Sequence, residues 1–208
     1  MGFIDPEVQG SILDFVRCMR PNNTFYGTSG KCRKGVEVGA QKKQFETGVT
    51  WGKFNIPTPG HARVVKRLLE KSDEAQVIMS GAKTNVDWNL RNLMFRRVLR
   101  QEGVDVSKVK FVHAPNTYEA LKSIVEEKGG KNVVMALGED RKNYLESLSK
   151  KFEMGSELIP RSEGSESSTM MRGLIDSGNF KRLKEIYKDD YLVKLARYVR
   201  AQEKLRDS

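Results

Sequence analysis

Two short stretches of the 208-residue chain hold residue types that bind anions. In the first, Val49-Thr50-Trp51-Gly52-Lys53-Phe54 reads as a buried strand, and it breaks through Asn55-Ile56-Pro57-Thr58-Pro59 into a helix that opens at Gly60-His61. A helix that starts at the carboxyl end of a strand leaves its first-turn N–H groups unpaired and aimed at whatever sits there, and such groups bind phosphates. His61, in that first turn, can lean over the same spot and donate to a phosphate oxygen. In the second stretch, Ser167-Ser168-Thr169-Met170-Met171-Arg172, Ser167 is a good N-cap. Thr169 and Arg172 are three apart and share a face. A hydroxyl, free N–H groups and a guanidinium fork converging on one helix start make a second anion cradle.

The elements that must position these groups follow an alternating pattern from residue 49 onward. Val49–Phe54 is expected as strand one and residues 60–71 as its helix, with Val64, Val65, Leu68 and Leu69 apolar and Arg63, Lys66 and Arg67 on the other face. Ala75–Ser80 is a second strand. Residues 89–101 form a helix capped by Asp87, apolar at Leu90, Leu93, Met94 and Val98 and basic at Arg91, Arg96, Arg97 and Arg100. Val109–His113 is a third strand, Thr117–Lys128 a helix ended by Gly129-Gly130, and residues 132–137 a fourth strand. Strands separated by helices of this length argue for parallel βαβ units, hence an α/β, Rossmann-like parallel sheet flanked by helices, with ligands at the strands' carboxyl ends. Gly138-Glu139-Asp140 follows strand four beside the expected site. Asp140 there either contacts ligand or caps a helix over residues 141–150, and the two roles are compatible.

Outside this middle, residues 1–47 read as an extension. Asp5-Pro6 starts a helix with Val8, Ile12, Phe15, Val16 and Met19 apolar, and a loop or arm rich in Gly, Lys and Gln follows over residues 21–47. Residues 179–208 read as a helical tail, with stripes at Leu183, Ile186, Tyr187 and at Leu192, Leu195, Ala196, Val199 that suit packing on the chain's own domain. Gly30-Lys31 is not a P-loop, because Phe25 stands where the first Gly belongs and Cys32 where Ser or Thr must follow.

Net charge is +10, and the flanks 20–50 and 178–208 supply +8 of it. That basic character suits solubility and general anion attraction, or a grip on nucleic acid or another subunit. Two cysteines, Cys18 and Cys32, and two histidines in the chain argue against a zinc site and for reduced thiols. The first 30 residues carry Asp5, Glu7, Asp14 and Arg17 where a secretion signal would be apolar, and no 18-residue apolar run exists. The expectation is a cytoplasmic protein without a membrane segment.

The residues Gly52-x-Phe54-x-x-x-Thr58-x-Gly60-His61 resemble the (H/T)xGH signature of the nucleotidyltransferase superfamily, which includes nicotinamide-mononucleotide adenylyltransferases and the cytidylyltransferases. Ser167-Ser168-Thr169-x-x-Arg172 resembles that superfamily's ISSTxxR motif. Ile56 stands where the family usually has Pro, and Glu166 where Ile is usual. The resemblance covers residues 48–178, in the family's order, and extends to divergent members encoded by large tailed phages, whose compartment would be the host cytoplasm.

It implies transfer of a nucleoside monophosphate from a triphosphate onto an acceptor phosphate, with pyrophosphate released. By the same resemblance, His61 and Thr58 contact the nucleotide phosphates, Gly60 lets the base or ribose lie close to the backbone, and Gly52 and Phe54 belong to the nucleotide-binding set. Ser167, Ser168, Thr169 and Arg172 hold the β- and γ-phosphates. Lys53 neutralises the acceptor phosphate or the α-phosphate, Arg161 closes over the triphosphate, and Arg91, Trp88 and Asp140 meet the acceptor, for which nicotinamide mononucleotide is the lead candidate. Mg²⁺ is implied as a bridge between phosphates, with few protein ligands. The Thr169–Arg172 spacing resembles the adenylyl form and so favours ATP, while Arg161-Ser162-Glu163-Gly164 resembles the opening of the cytidylyl form and leaves CTP open. The competing class is a non-catalytic nucleotide- or nucleic-acid-binding assembly module that keeps the fold.

Overall fold

The computed structural model describes residues 43–82, 84–160 and 166–207. The helix expected near the N-terminus, Cys18, Cys32, Arg161 and almost all of the basic arm lie outside the described residues. Residues 43–208 form one compact unit.

Five parallel strands, β1 (Phe45–Gly52), β2 (Ser72–Ser80), β3 (Val109–Ala114), β4 (Val133–Gly138) and β5 (Gly155–Ile159), stand in the order β3-β2-β1-β4-β5. The sheet is therefore the α/β Rossmann-like one. The chain runs outward from β1 to β3, then returns to the other side of β1 as β4 and continues to β5. A crevice opens where that direction reverses, between the carboxyl ends of β1 and β4.

Helices cover both faces. Against one face lie α1 (Pro59–Lys71), α2 (Trp88–Gln101), α5 (Ser168–Asp176), α6 (Phe180–Tyr187) and α7 (Asp190–Asp207). Against the other lie α3 (Thr117–Lys128) and α4 (Lys142–Phe152). The period of two along the strands sorts the side chains between them. Val77 and Met79 of β2 and Val134 and Ala136 of β4 join the first core with Val65, Leu68, Phe95 and Val98. Val49, Trp51, Ile78, Val133 and Met135 join the second with Leu121 and Leu145. The tail is no appendage, since Leu183, Tyr187, Leu192, Ala196 and Val199 are buried in the first core. Among the described residues no helix is long and apolar enough to cross a membrane.

Helices α2 and α3 begin and end where their periodicity and caps predict, with the Asp87 carboxylate accepting from the Leu90 N–H. Besides small shifts at strand ends, with β2 starting at Ser72 and β1 ending at Gly52, three expectations differ from the structure. Strand β5 is additional to the four expected; it is short, lies at an edge, and offers only Leu158 and Ile159 beside Ser156 and Glu157, too little alternation to register as a strand. Strand β1 begins at Phe45, inside the stretch expected to be loop. Asp140 does not cap the following helix: it sits in a single 3₁₀ turn, Glu139–Arg141, and α4 starts at Lys142 with no side-chain cap.

Gly48 sets how closely α1 approaches the sheet. A Cβ built there would lie 2.7 Å from Ser72 Oγ and 2.8 Å from Leu68 Cβ. The Ser72 hydroxyl is already committed to the Leu68 and Glu74 carbonyls, and Leu68 Cβ is fixed to the helix backbone, so neither can swing away. Gly48→Ala must push α1 off β1, and overpacking of this kind costs about 1–3 kcal/mol. The urea unfolding midpoint of Gly48→Ala should fall accordingly, and an unchanged midpoint would show that α1 is not seated on β1 at this distance.

Candidate functional site

The turn from β1 into α1 carries the first group. After Gly52, Phe54 adopts a left-handed conformation with φ of 49°, a strained choice for a residue with a side chain. Thr58 is the N-cap of α1 and Pro59 follows in its first turn, where a missing N–H costs nothing. His61 takes the place that Glu or Gln usually fills in a capping box. Its N–H meets the Thr58 hydroxyl, and in return the Thr58 N–H donates to His61 Nδ1 at 3.1 Å. A backbone N–H can only donate, so Nδ1 is the lone-pair nitrogen and, in the neutral ring, Nε2 carries the proton. The Phe54 ring stands edge-on to the imidazole with centroids 5.0 Å apart and interplanar angle 89°, and Phe95 closes in at 6.1 Å. Orientation and tautomer of His61 are thus both set by its surroundings.

The second group sits at the start of α5, where Ser167 accepts from the Met170 N–H at 3.1 Å. This helix start is fastened to the first. Ser168 Oγ donates to the Ile56 carbonyl at 3.1 Å, and Arg63 pairs with Glu166 at 3.0 Å. A Cβ on Gly60 would lie 3.0 Å from the Glu166 carbonyl, so a residue with a side chain would push the two helix starts slightly apart.

Both starts open on one cavity of about 650 Å³ at the carboxyl ends of β1 and β4. Lys53, Arg63, Arg141 and Arg172 bring positive charge to it, against Asp140 and Glu166. Helix geometry leaves the N–H groups of Gly60, Ser168 and Thr169 without intrahelical acceptors at its wall, adding the positive ends of two helix dipoles. The cavity suits a polyanion. Among the described residues no three His, Cys, Asp or Glu side chains cluster to hold a metal ion.

Beneath the cavity, the 53–58 loop hands its carbonyls to side chains from three helices. Arg91 of α2 donates to the Lys53 carbonyl at 2.7 Å and to the Ser80 carbonyl at 2.8 Å. Ser168 of α5 takes Ile56, and Tyr187 of α6 donates to the Pro57 carbonyl at 2.7 Å. Asn55 accepts from Thr84 at 3.1 Å and donates to Glu203 of α7 at 3.0 Å. Burial pushes the Tyr187 hydroxyl's pKa up, which keeps it a neutral donor.

The structure brings Gly52, Lys53, Phe54, Thr58, Gly60, His61, Asp140, Ser167, Ser168, Thr169 and Arg172 to the cavity wall. It does not bring Arg91 or Trp88 there. Arg91 is 1% exposed, spent on two carbonyls rather than facing an acceptor, and burial lowers its pKa, with the nearby Asp87 charge opposing. Trp88 stacks on His113 with centroids 5.1 Å apart and interplanar angle 20°. Arg161 lies outside the described residues. The hydroxyl of Ser168 is committed to Ile56, so what it can offer a ligand is its backbone N–H. Asn55, Arg63, Arg141 and Glu166 also line the cavity and were not read as site residues in the sequence, although Glu166 stands at a motif position and the others lie within two residues of a residue expected at the site. Glu203 had no such signal.

The cavity lies where an α/β fold of this topology takes its ligands, at the switch between β1 and β4. A family model described as cytidylyltransferase-like matches residues 49–174, and the chain belongs to that family, within the nucleotidyltransferase superfamily. Its fold is similar to that of nicotinic acid mononucleotide adenylyltransferase from Plasmodium falciparum, solved with NaAD, at 19% identity and a TM-score of 0.51, covering 66% of this chain and 89% of that one. It is also similar to a bifunctional NMN adenylyltransferase/ADP ribose pyrophosphatase from Francisella tularensis, solved with AMP and a manganese ion, at 14% identity and a TM-score of 0.53. There 73% of this chain is covered and 52% of the other, so the likeness spans about half of that longer protein. Comparison with curated proteins found no match.

Glu203 makes the folded state sensitive to acid. Burial alone would raise its pKa, but hydrogen bonds from Arg172 and Asn55, the Arg172 charge and a contact from Arg200 hold it below the ordinary value. A carboxyl whose pKa is depressed by folding stabilises the fold above its unfolded pKa, about 4.3, and loses that contribution as pH falls through the folded value. The urea midpoint should therefore drop as pH is lowered below about 4.3, and Glu203→Gln should flatten part of the drop. Parallel pH profiles for native and variant protein would contradict this.

Proposed function

We propose that the chain is a nucleotidyltransferase that moves a nucleoside monophosphate, AMP from ATP, onto the phosphate of an acceptor such as nicotinamide mononucleotide and releases pyrophosphate. The observation that carries the reading is the meeting of two helix starts, each bearing one family motif, at a single cationic cavity on the switch point of the sheet. The adenylyl donor is supported by the uninterrupted spacing from Thr169 to Arg172, and the folds similar to this one include adenylyltransferases.

In the reaction an oxygen of the acceptor phosphate attacks the α-phosphorus, the bond to the bridging α–β oxygen breaks, and pyrophosphate departs with the electron pair. No covalent enzyme intermediate is required, so the protein acts by holding two anions in line and countering charge on the crowding α-phosphate. His61, held by Thr58, offers its Nε2–H to a phosphate oxygen. The N–H groups of Gly60, Ser168 and Thr169 cradle the remaining phosphates, and Thr169 and Arg172 take the departing pyrophosphate. Lys53, at the end of β1, counters the charge brought together by the acceptor and the α-phosphate. Asp140 and Arg141 face this group from the end of β4, on the acceptor side. The donor set around the cavity, two carboxylates and no cluster, fits a divalent cation such as Mg²⁺ held chiefly by the nucleotide's own oxygens. When bound it would supply further neutralisation of the phosphates.

The test is pyrophosphate release from ATP and from CTP with Mg²⁺, across phosphorylated acceptors led by nicotinamide and nicotinate mononucleotides. Turnover with one donor and acceptor is expected. His61→Ala should lower kcat/KM about 10²–10³-fold, the usual loss for one preorganised donor at a developing charge. Turnover with CTP alone would reassign the donor. Nucleotide binding without pyrophosphate release from any pair would replace the enzyme with a binding module.

A further inference from the structure

Glu203 stands where a glutamate has little reason to be. It lies on α7 (Asp190–Asp207), one turn before that helix's last turn, and only 8% of it is exposed. Burying a carboxylate is costly unless every lone pair finds a donor. Here they do. Arg172 grips it with both arms of its fork, Nη2 to Oε1 at 2.7 Å and Nε to Oε2 at 2.8 Å. Asn55 adds a bond to Oε1 at 3.0 Å and Arg200 one to Oε2 at 3.4 Å. Arg200 is anchored in turn on Asp176 of α5, at 2.7 Å at the shortest.

One carboxylate therefore ties together three pieces distant in sequence: the loop after β1 through Asn55, the second motif through Arg172, and the end of the chain's last helix. The fork that Arg172 gives to Glu203 uses Nε and Nη2. Nη1 is the edge that Glu203 does not engage, on a side chain that lines the cavity and keeps 30% of its surface exposed.

We infer that Glu203 is a positioning residue for the nucleotide phosphates: it fixes the plane of the Arg172 guanidinium so that Nη1 is presented to the departing pyrophosphate. The inference rests on the nucleotidyltransferase reading above and adds the C-terminal helix to that site. It is opposed by simple electrostatics, because a carboxylate beside Arg172 cancels charge that would attract phosphate. The two effects have opposite signs. If charge cancellation dominates, removing the carboxylate tightens phosphate binding; if positioning dominates, removal loosens it. An arginine free to rotate loses the in-line geometry and must be ordered again at each binding event. A neutral amide at 203 would also turn its N–H₂ group toward one of the two Arg172 donors whichever way it lies, so Glu203→Gln breaks the clamp rather than merely discharging it.

The experiment uses the full chain and titrates ATP, CTP and inorganic pyrophosphate into native protein, Glu203→Gln, Glu203→Asp, Arg172→Met and the Arg172→Met/Glu203→Gln double variant. Urea unfolding of each shows that it is folded. Glu203→Gln should weaken triphosphate and pyrophosphate binding about tenfold and raise the donor KM while leaving the acceptor KM in place. Glu203→Asp, which keeps the charge one methylene further back, should fall between and serves if the amide variant does not fold. In the Arg172→Met background, Glu203→Gln should cost no further affinity, since its effect runs through the guanidinium. Unchanged or tighter binding by folded Glu203→Gln, or the same loss with and without Arg172, would overturn the inference while leaving the enzyme assignment intact. A native chain that binds none of the three probes would overturn the enzyme assignment and the inference together.

Discussion

An anion seated on the loop after β1 needs N–H groups turned toward it, so the carbonyl groups of Lys53, Ile56 and Pro57 must find their donors on the protein side. A buried carbonyl without a donor costs about as much as a lost hydrogen bond, so the loop can hold an anion on one side only if the other side is supplied with donors. Three helices supply them through Arg91, Ser168 and Tyr187. Arg91 is the costliest of the three, because a guanidinium at 1% exposure has been taken out of water with no carboxylate among the described residues bonded to it. In exchange it joins the carboxyl ends of β1 and β2 at the floor of the cavity, and its charge lies beneath the loop after β1. The left-handed Phe54, the Thr58–His61 capping box and the close seat of Gly60 on Glu166 all depend on that loop keeping one path.

Much of this was legible in the sequence because it is local. A glycine before a histidine after a proline-rich turn marks the start of α1 to within one residue, and Ser167 as an N-cap marks the start of α5. The alternation of strands and helices then requires both starts to lie at the carboxyl edge of one sheet. Arg91 was misread for a physical reason. Counted with Arg96, Arg97 and Arg100 it looks like part of a basic face, yet it lies in phase with Met94, Phe95 and Val98, the buried stripe of α2. A charge in phase with a core stripe is a sign of a buried strut. Strand β5 was hidden by its edge position, and Glu203 by a separation of 31 residues from Arg172 that no local pattern spans.

The basic tail also reads differently once folded. Arg182 pairs with Glu185, Lys184 with Asp190, and Arg200 and Lys204 with Asp176, while Arg97 of α2 reaches Asp189. Arg197 lies over the Phe180 ring at 4.2 Å. Exposed pairs of this kind contribute little stability individually, but they turn many of the tail's cations inward on the chain's own acids. The apolar stripes of α6 and α7 complete the core over α2, and in doing so bring Tyr187 to Pro57 and Glu203 to Arg172. The tail is thereby part of the scaffold of the site.

The central claim is that two helix starts form one phosphate cradle for a nucleoside triphosphate. A crystal structure of the full chain with a non-hydrolysable ATP analogue and Mg²⁺ tests it most directly. The account predicts the β- and γ-phosphates between Gly60 and Thr169, the His61 Nε2 within hydrogen-bonding distance of a phosphate oxygen, and Arg172 still forked on Glu203 while Nη1 meets the terminal phosphates. Phosphates bound elsewhere, or bound only after Arg172 has left Glu203, would contradict it.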